Sequence, residues 1–144
     1  MPDSAVIDLI QWTPDYAVGV PQIDQEHQGL FAKAESMRQA MLVGKGKDEL
    51  DFLLGNLVAY GCYHFDHEEE LMQRIGYPDI AEHRKEHEDM KKRVRAMQER
   101  ASAGEKTMTI EVMLFLMEWV KRHVIATDLR IAGYMKARGI SLAH

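Results

Sequence analysis

The chain has 144 residues, of which 46% are hydrophobic and 28% are charged, and its formal net charge at pH 7 is −5. This composition is typical of one soluble globular domain spanning 1–144, and the acidic excess disfavours nucleic acid as a partner because phosphates attract basic proteins. The lone Cys62 excludes an intrachain disulfide, the N-terminus has no basic stretch typical of a signal peptide, and no apolar run could span a bilayer, so we expect a cytoplasmic protein without membrane insertion.

The N-terminal part of the chain predicts an extended arm. Residues 1–21 contain three of the four prolines and no helical stripe of apolar residues. We expect Trp12 and Val18 to anchor this arm on the rest of the fold. The first helix is predicted from about Ile23 to Val43, where apolar residues recur at helical spacing before a glycine- and lysine-containing turn.

Three more helices follow the same periodicity. The second is predicted to begin near Asp48, a good N-cap residue, and to end near Gly76. The third is predicted to start at Pro78, with Asp79 as its cap, and the fourth near Thr107.

The predicted fold class is all-α, with no strands. Because the loops are short, sequential helices should be antiparallel neighbours in an up-down-up-down four-helix bundle. The bundle is predicted over residues 22–128 and a short C-terminal helical extension over 129–144, its helix running from Leu129 to Arg138.

Seven potential metal ligands fall on the inward stripes of these helices. In an antiparallel bundle they all lie at one end, within two or three turns of one another in height. Nitrogen and oxygen ligands that converge from several helices are typical of dinuclear iron or manganese sites. The seven residues are His27, His64, Glu68, His83, His87, His123 and Asp128.

One pair of these residues does not fit a regular helix. His123 and Asp128 are five residues apart, which is about 140° of rotation at 3.6 residues per turn. We therefore expect an irregularity around Ile125–Thr127, either a π-bulge or the end of the helix.

The individual residues also have simpler interpretations. A single histidine on an apolar stripe is more often a hydrogen-bonded core residue than a ligand, but a buried carboxylate such as Glu68 is costly unless it is paired or metal-bound. His67 and His144 are predicted to lie off the site and in solvent. Cys62, about 160° around the helix from His64, is predicted to be a small thiol and not a ligand.

At these positions the sequence resembles the bacteriohemerythrins, single-domain bacterial members of the hemerythrin family. The resemblance covers roughly Trp12 to Tyr134 and every ligand position is filled. It rests on the motif residues Asp24-Gln25-Glu26-His27, His64-x-x-x-Glu68, His83-x-x-x-His87 and His123-x-x-x-x-Asp128, and on Gly76-Tyr77-Pro78.

The resemblance implies a non-haem centre of two iron ions bridged by Glu68, Asp128 and an oxide or hydroxide. It assigns three histidines to one iron (His83, His87, His123) and two to the other (His27, His64). The first iron then has six ligands and the second five, so the second iron retains one coordination position for dioxygen. Val120 stands where the family usually has a larger aliphatic residue over the oxygen pocket.

The function implied by the resemblance is reversible dioxygen binding for transport, storage or delivery, without enzymatic activity. An oxygen-consuming enzyme is a candidate recipient. Two alternatives stay open: a di-iron enzyme acting on peroxide or nitric oxide, which steady turnover would reveal, and an oxygen- or iron-sensing module that acts through a partner.

Overall fold

The structure is a computed structural model that describes residues 11–104 and 110–141. A short 3₁₀ turn, Pro14–Tyr16, precedes the first long helix. The long elements, in chain order, are α1 (Pro21–Leu42), α2 (Lys47–Ile75), α3 (Ile80–Ser102), α4 (Ile110–Arg122), a π-helix (His123–Asp128) and α5 (Leu129–Ala137). The described part of the chain contains no strand, as predicted, and no helix there is both long and apolar enough to cross a membrane.

The four main helices form the expected antiparallel bundle. Helix α1 packs against α2 and α4, and α2 also packs against α3. The direction alternates, since Glu26 near the start of α1 contacts His64 in the second half of α2, and His87 near the start of α3 contacts Glu69. Short connections at residues 43–46 and 76–79 make this arrangement possible.

The described helix ends lie within two residues of the predicted ones: α1 begins at Pro21 instead of Ile23, α2 at Lys47 instead of Asp48, and α3 at Ile80 instead of Pro78. Gly46, and not Asp48, is the N-cap residue of α2. Asp48 lies in the first turn, where its negative charge interacts favourably with the positive end of the helix dipole. Gly76 ends α2 in the left-handed conformation (φ 69°), and Tyr77 donates its backbone N–H to the carbonyl of Met72 at 2.9 Å. The predicted start of the fourth helix near Thr107 lies outside the described residues.

Two apolar clusters fill the interior of the bundle. The larger cluster lies among α1 to α4 and includes Leu30, Leu54 and Leu116, each only 1% exposed. The smaller cluster joins the arm to α5 and to the ends of α1 and α2. Its buried members are Val18, Ile23, Leu71, Met72, Tyr77, Ile131 and Met135.

The predicted anchors of the arm contact both clusters. Val18 is buried in the smaller cluster, and Trp12 packs half-buried against the larger one. Along α1, α2 and the α4–α5 segment, each potential ligand stands between residues of the two clusters. The site is therefore a polar layer with apolar packing on both sides. The smaller cluster closes the end of the bundle at which the sequence places the seven potential ligands.

The irregularity expected near Ile125 is a π-helix. It spans His123–Asp128, directly after α4 and directly before α5. In a π-helix the backbone bonds run from residue i to i+5, so side chains five residues apart stack on one face. The extra residue thus brings His123 and Asp128 together, with Nε2 and Oδ2 2.9 Å apart, and the alternative of a helix end between them is wrong.

Candidate metal centre

All seven predicted ligands are buried, and the fold brings them together. Helix α1 contributes His27, α2 contributes His64 and Glu68, and α3 contributes His83 and His87. The π-helix contributes the last two, at its first and last residues. None of the seven is more than 3% exposed.

The ligand atoms form two overlapping groups among the described residues, each compact enough to surround one metal ion. Within each group the nitrogen and oxygen atoms all lie within 4.8 Å of one another. Glu68 and His123 belong to both groups. The first adds His27, His64 and Asp128, and the second adds His83 and His87.

Each carboxylate divides its two oxygens between the histidine sets. Glu68 Oε1 lies 2.5 Å from His83 Nε2 and 3.1 Å from His87 Nε2, whereas Oε2 lies 2.9 Å from His64 Nε2 and 3.4 Å from His27 Nε2. Asp128 does the same, with Oδ1 3.1 Å from His83 Nε2 and Oδ2 2.6 Å from His27 Nε2. These separations resemble the edges of about 3 Å that join neighbouring ligand atoms around an octahedral ion with bonds of about 2.1 Å.

The hydrogen bonds of two histidine rings indicate that a cation fits this layer. His64 Nδ1 and His87 Nδ1 each donate a hydrogen bond to a carboxylate outside the layer, Glu26 at 2.9 Å and Glu69 at 2.8 Å. In the neutral ring, Nε2 then has a lone pair that faces the oxygens of Glu68. Lone pairs in contact repel one another, so either a second proton on the ring or a metal ion must lie between them.

The buried oxygens lead to the same conclusion. Glu68 Oε2 and both oxygens of Asp128 have no hydrogen-bond donor within the described residues, although the two side chains are fully buried. Burial of an unsatisfied carboxylate is costly unless a cation compensates it. Imidazole and carboxylate together are a donor set that suits iron. The cluster therefore fits a non-haem di-iron site.

The pKa values show how the layer holds its charge when only protons are available. Burial alone would lower the pKa of His83, but the close carboxylates of Asp128 and Glu68 outweigh burial and raise this pKa to about 10. For His123, the nearby Asp128 and Glu68 likewise overcome the effect of burial, and the pKa rises to about 9. Burial would raise the pKa of Glu68, but His123 and His64 hold it well below its usual range. The layer thus favours cations strongly.

Two carboxylates that the sequence did not predict as part of the site contact the predicted ligands from outside. Glu26 is only 4% exposed and accepts the hydrogen bond from His64 Nδ1. Glu69 accepts from His87 Nδ1 and also pairs with Arg84, whose Nε lies 3.3 Å from Glu69 Oε1. Each stands next to a predicted ligand in sequence, and Glu26 also belongs to the motif residues that carry the resemblance.

The prediction for His67 is only half correct. His67 is not in either ligand group, but it is not simply in solvent. Its side chain is 23% exposed, and its Nδ1 lies 2.5 Å from Glu26 Oε2. His144, the other histidine predicted to lie off the site, falls outside the described residues.

Aromatic rings cover the ligands on the side of the larger cluster. Phe65 stacks on His87 with ring centroids 4.0 Å apart, and Trp119 stacks on His123 at 4.8 Å. Both rings also line a small apolar cavity of about 30 Å³. Val120, which is 2% exposed, lines the same cavity, as does the half-buried Cys62.

Comparison with known proteins agrees with this geometry. Residues 18–133 match the family model described as the hemerythrin HHE cation binding domain. A bacteriohemerythrin of Stenotrophomonas maltophilia is 33% identical over 90% of this chain and 83% of its own length. A myohemerythrin of Theromyzon tessulatum is 25% identical over 85% of this chain and 91% of its own.

The fold is shared as well. A crystal structure of wild-type hemerythrin superposes with a TM-score of 0.81 and 25% identity, covering 95% of this chain and 100% of that one. The family match spans all seven predicted ligands, and the solved relative has the same helical architecture. The chain belongs to the hemerythrin HHE cation-binding domain family.

Proposed function

We propose that the protein binds dioxygen reversibly at a centre of two iron ions held by His27, His64, Glu68, His83, His87, His123 and Asp128. The observation that carries this proposal is the division of the oxygens of Glu68 and Asp128 between two sets of histidines. A carboxylate with one oxygen toward each set is suited to bridging two metal ions. One buried ion could not use seven ligands with this distribution.

The arrangement supports an unequal pair of irons. His83 and His87, with Glu68, form one ligand group, and His27 and His64 lie in the other. His123 contacts atoms of both groups, and we assign it to the iron of His83 and His87. With Glu68, Asp128 and an oxide or hydroxide as bridges, the iron of His27 and His64 then has one ligand fewer from the protein and is where dioxygen would bind.

The apolar wall beside the site suits a carrier. A cavity of about 30 Å³ has room for a molecule as small as one or two waters, and its walls are mostly apolar. Such a shell limits access of water and protons, which promote loss of bound dioxygen through oxidation of the iron. Val120 contributes to this wall, and its small side chain leaves more space than a leucine would.

The donor set favours binding over oxidation chemistry. Ferritin-like di-iron enzymes use mostly glutamate ligands, whereas this layer offers five imidazoles and two carboxylates. Neutral ligands give less stabilisation to highly oxidised iron. We therefore propose a dioxygen carrier or store, and not an enzyme, that works in the cytoplasm with an oxygen-consuming enzyme as a candidate recipient.

The proposal is tested by loading the metal-free protein with ferrous iron without air and cycling it between oxygen and argon. We expect two irons per chain and an optical spectrum that appears under oxygen and disappears under argon through repeated cycles. Metal analysis and absorbance are the measurements. One iron per chain, or steady turnover of peroxide or nitric oxide without reversible oxygenation, would contradict the proposal.

The matched variants in this experiment are Glu68→Ala and His27→Ala. Because a bridging carboxylate holds both ions, Glu68→Ala should lose both irons, and Asp128→Ala should behave similarly. His27→Ala removes a ligand of one ion only and should retain more iron. Two irons and a wild-type oxygen spectrum in Glu68→Ala would show that this residue is not a bridge.

The metal-free protein should lose stability as the pH rises from about 6.5 to 10. The pKa values of His83 and His123 are raised to about 10 and about 9 in the folded chain, above the unfolded value of about 6.5. A raised pKa stabilises the fold fully below the unfolded pKa, and this contribution is lost as the pH passes the folded pKa. Urea denaturation of the metal-free chain at several pH values measures this loss as a fall in the free energy of unfolding.

Iron takes the place of these protons, so the loaded protein should lack this pH dependence. Addition of ferrous iron to the metal-free chain at pH 7.5 should also release protons, which a pH indicator in weak buffer would detect. If the metal-free and loaded proteins have parallel stability curves from pH 6.5 to 10, the two histidines are not protonated in the metal-free chain.

Enlarging Val120 tests the apolar wall. In Val120→Leu, the extra methylene should occupy part of the cavity without strain, since the cavity adjoins this side chain. We expect two irons and slower oxidation of the dioxygen-loaded protein. The measurement is the decay of its absorbance in air at matched pH.

Gly61→Ala is the parallel variant from the opposite wall. Gly61 lines the same cavity, and a Cβ built there meets no atom within 4 Å, so alanine fits. It should slow the oxidation in the same direction. Equal or faster decay in both variants would show that this cavity does not control access to the iron.

A further inference from the structure

Glu26 joins a ligand of the site to a histidine near the surface. Its carboxylate is 4% exposed, and both oxygens are used. Oε1 accepts a hydrogen bond from His64 Nδ1 at 2.9 Å, and Oε2 accepts one from His67 Nδ1 at 2.5 Å. The resulting chain runs from His67 through Glu26 to His64 and ends at the ligand atom His64 Nε2.

This chain fixes which atom of His64 faces the metal layer. With its Nδ1 proton donated to Glu26, the neutral His64 ring presents the lone pair of Nε2, 2.9 Å from Glu68 Oε2. A carboxylate that accepts a hydrogen bond from the ring nitrogen facing away from the metal also makes the histidine a stronger electron donor to the metal. Glu26 itself needs a second donor, because a buried carboxylate oxygen without one is costly.

We propose that His67 and Glu26 are positioning residues that set the orientation and donor strength of His64, and thereby the iron affinity and the redox potential of the centre. His67 acts by holding Glu26, and Glu26 acts by holding His64. The inference rests on the proposed function, in which His64 is a ligand of the iron with fewer protein ligands. His67 and Glu26 would thus stabilise the coordination of the iron that has fewer protein ligands.

The carboxylate on the other side of the site is held differently. Glu69 supports His87, but it is half-buried and its second oxygen pairs with the guanidinium of Arg84, whose side chain is 45% exposed. The arginine charge offsets that of Glu69 close to solvent. Glu26 is more deeply buried and contacts two imidazoles, so its negative charge should act more strongly on its histidine.

The inference is tested with three variants loaded with ferrous iron. Glu26→Gln keeps the shape but removes the charge, His67→Ala removes the donor to Glu26, and His67→Asn replaces it, since an asparagine amide can donate much as Nδ1 does. Glu70→Gln is the matched control, because Glu70 is an exposed acid on the same helix. Circular dichroism checks that each variant is helical.

The readouts are iron release to a ferrous chelator and the midpoint potential of the centre. For Glu26→Gln and His67→Ala we expect about 10–100-fold weaker retention of one iron, the usual effect of losing a partner of a metal ligand. The potential should rise, because a weaker donor stabilises ferric iron less. His67→Asn should restore both properties toward wild type, and Glu70→Gln should match wild type.

Two results would overturn the inference without touching the proposed function. In the first, wild type loads two irons while Glu26→Gln and His67→Ala match it in release and potential. In the second, His67→Asn is as defective as His67→Ala, so that donation to Glu26 is not the role of His67. A wild-type chain that cannot load two irons would instead overturn the proposed function, and this inference with it.

Discussion

Two carboxylates with no access to water constrain the whole structure. Glu68 and Asp128 are both fully buried, and the penalty for removing such charges from water amounts to several kcal/mol per ion even after relaxation. Because Glu68 Oε2 and both oxygens of Asp128 have no hydrogen-bond donor within the described residues, cations in direct contact have to compensate it. Helices α1, α2 and α3 and the π-helix therefore have to deliver imidazole nitrogens to one level of the bundle, and apolar packing has to continue on both sides of that level. The arm and α5 supply the second of these sides through Val18 and Ile131.

The π-helix is the clearest consequence of this constraint. A regular α-helix would leave His123 and Asp128 about 140° apart, so one of them would point away from the layer. One wider turn places both in it and then lets α5 continue with Ile131 and Met135 buried. A π-turn has poorer backbone geometry than an α-helix, and such turns occur mostly at functional sites. Its position here, with a predicted ligand at each end, gives the irregularity a structural purpose.

Periodicity made most of the fold predictable, because inward positions on a helix repeat every three or four residues. The same rule identified the seven residues that the structure brings together. It also predicted the irregular turn, because the five-residue spacing of His123 and Asp128 does not fit a regular α-helix. Periodicity did not predict the roles of Glu26, Glu69 and His67, because these residues lie beside the inward stripe. At such positions the helical spacing does not distinguish a solvated side chain from one that contacts a predicted ligand. The N-cap of α2 was also misplaced, since Gly46 and Asp48 are both acceptable at a helix start.

The two sides of the ligand layer differ in a way that bears on its chemistry. Carboxylates that lead toward the surface accept hydrogen bonds from Nδ1 of His64 and of His87. On the other side, the rings of Phe65 and Trp119 stack on His87 and His123. Charge and hydrogen bonds thus reach the site through its ligands, and the space beside it is apolar. A small uncharged molecule can enter such a space without loss of hydration, while water and anions gain nothing there. The polar contacts of the layer therefore run through the histidine nitrogens that face away from it, while the small cavity beside the stacked rings of Phe65 and Trp119 is almost entirely apolar.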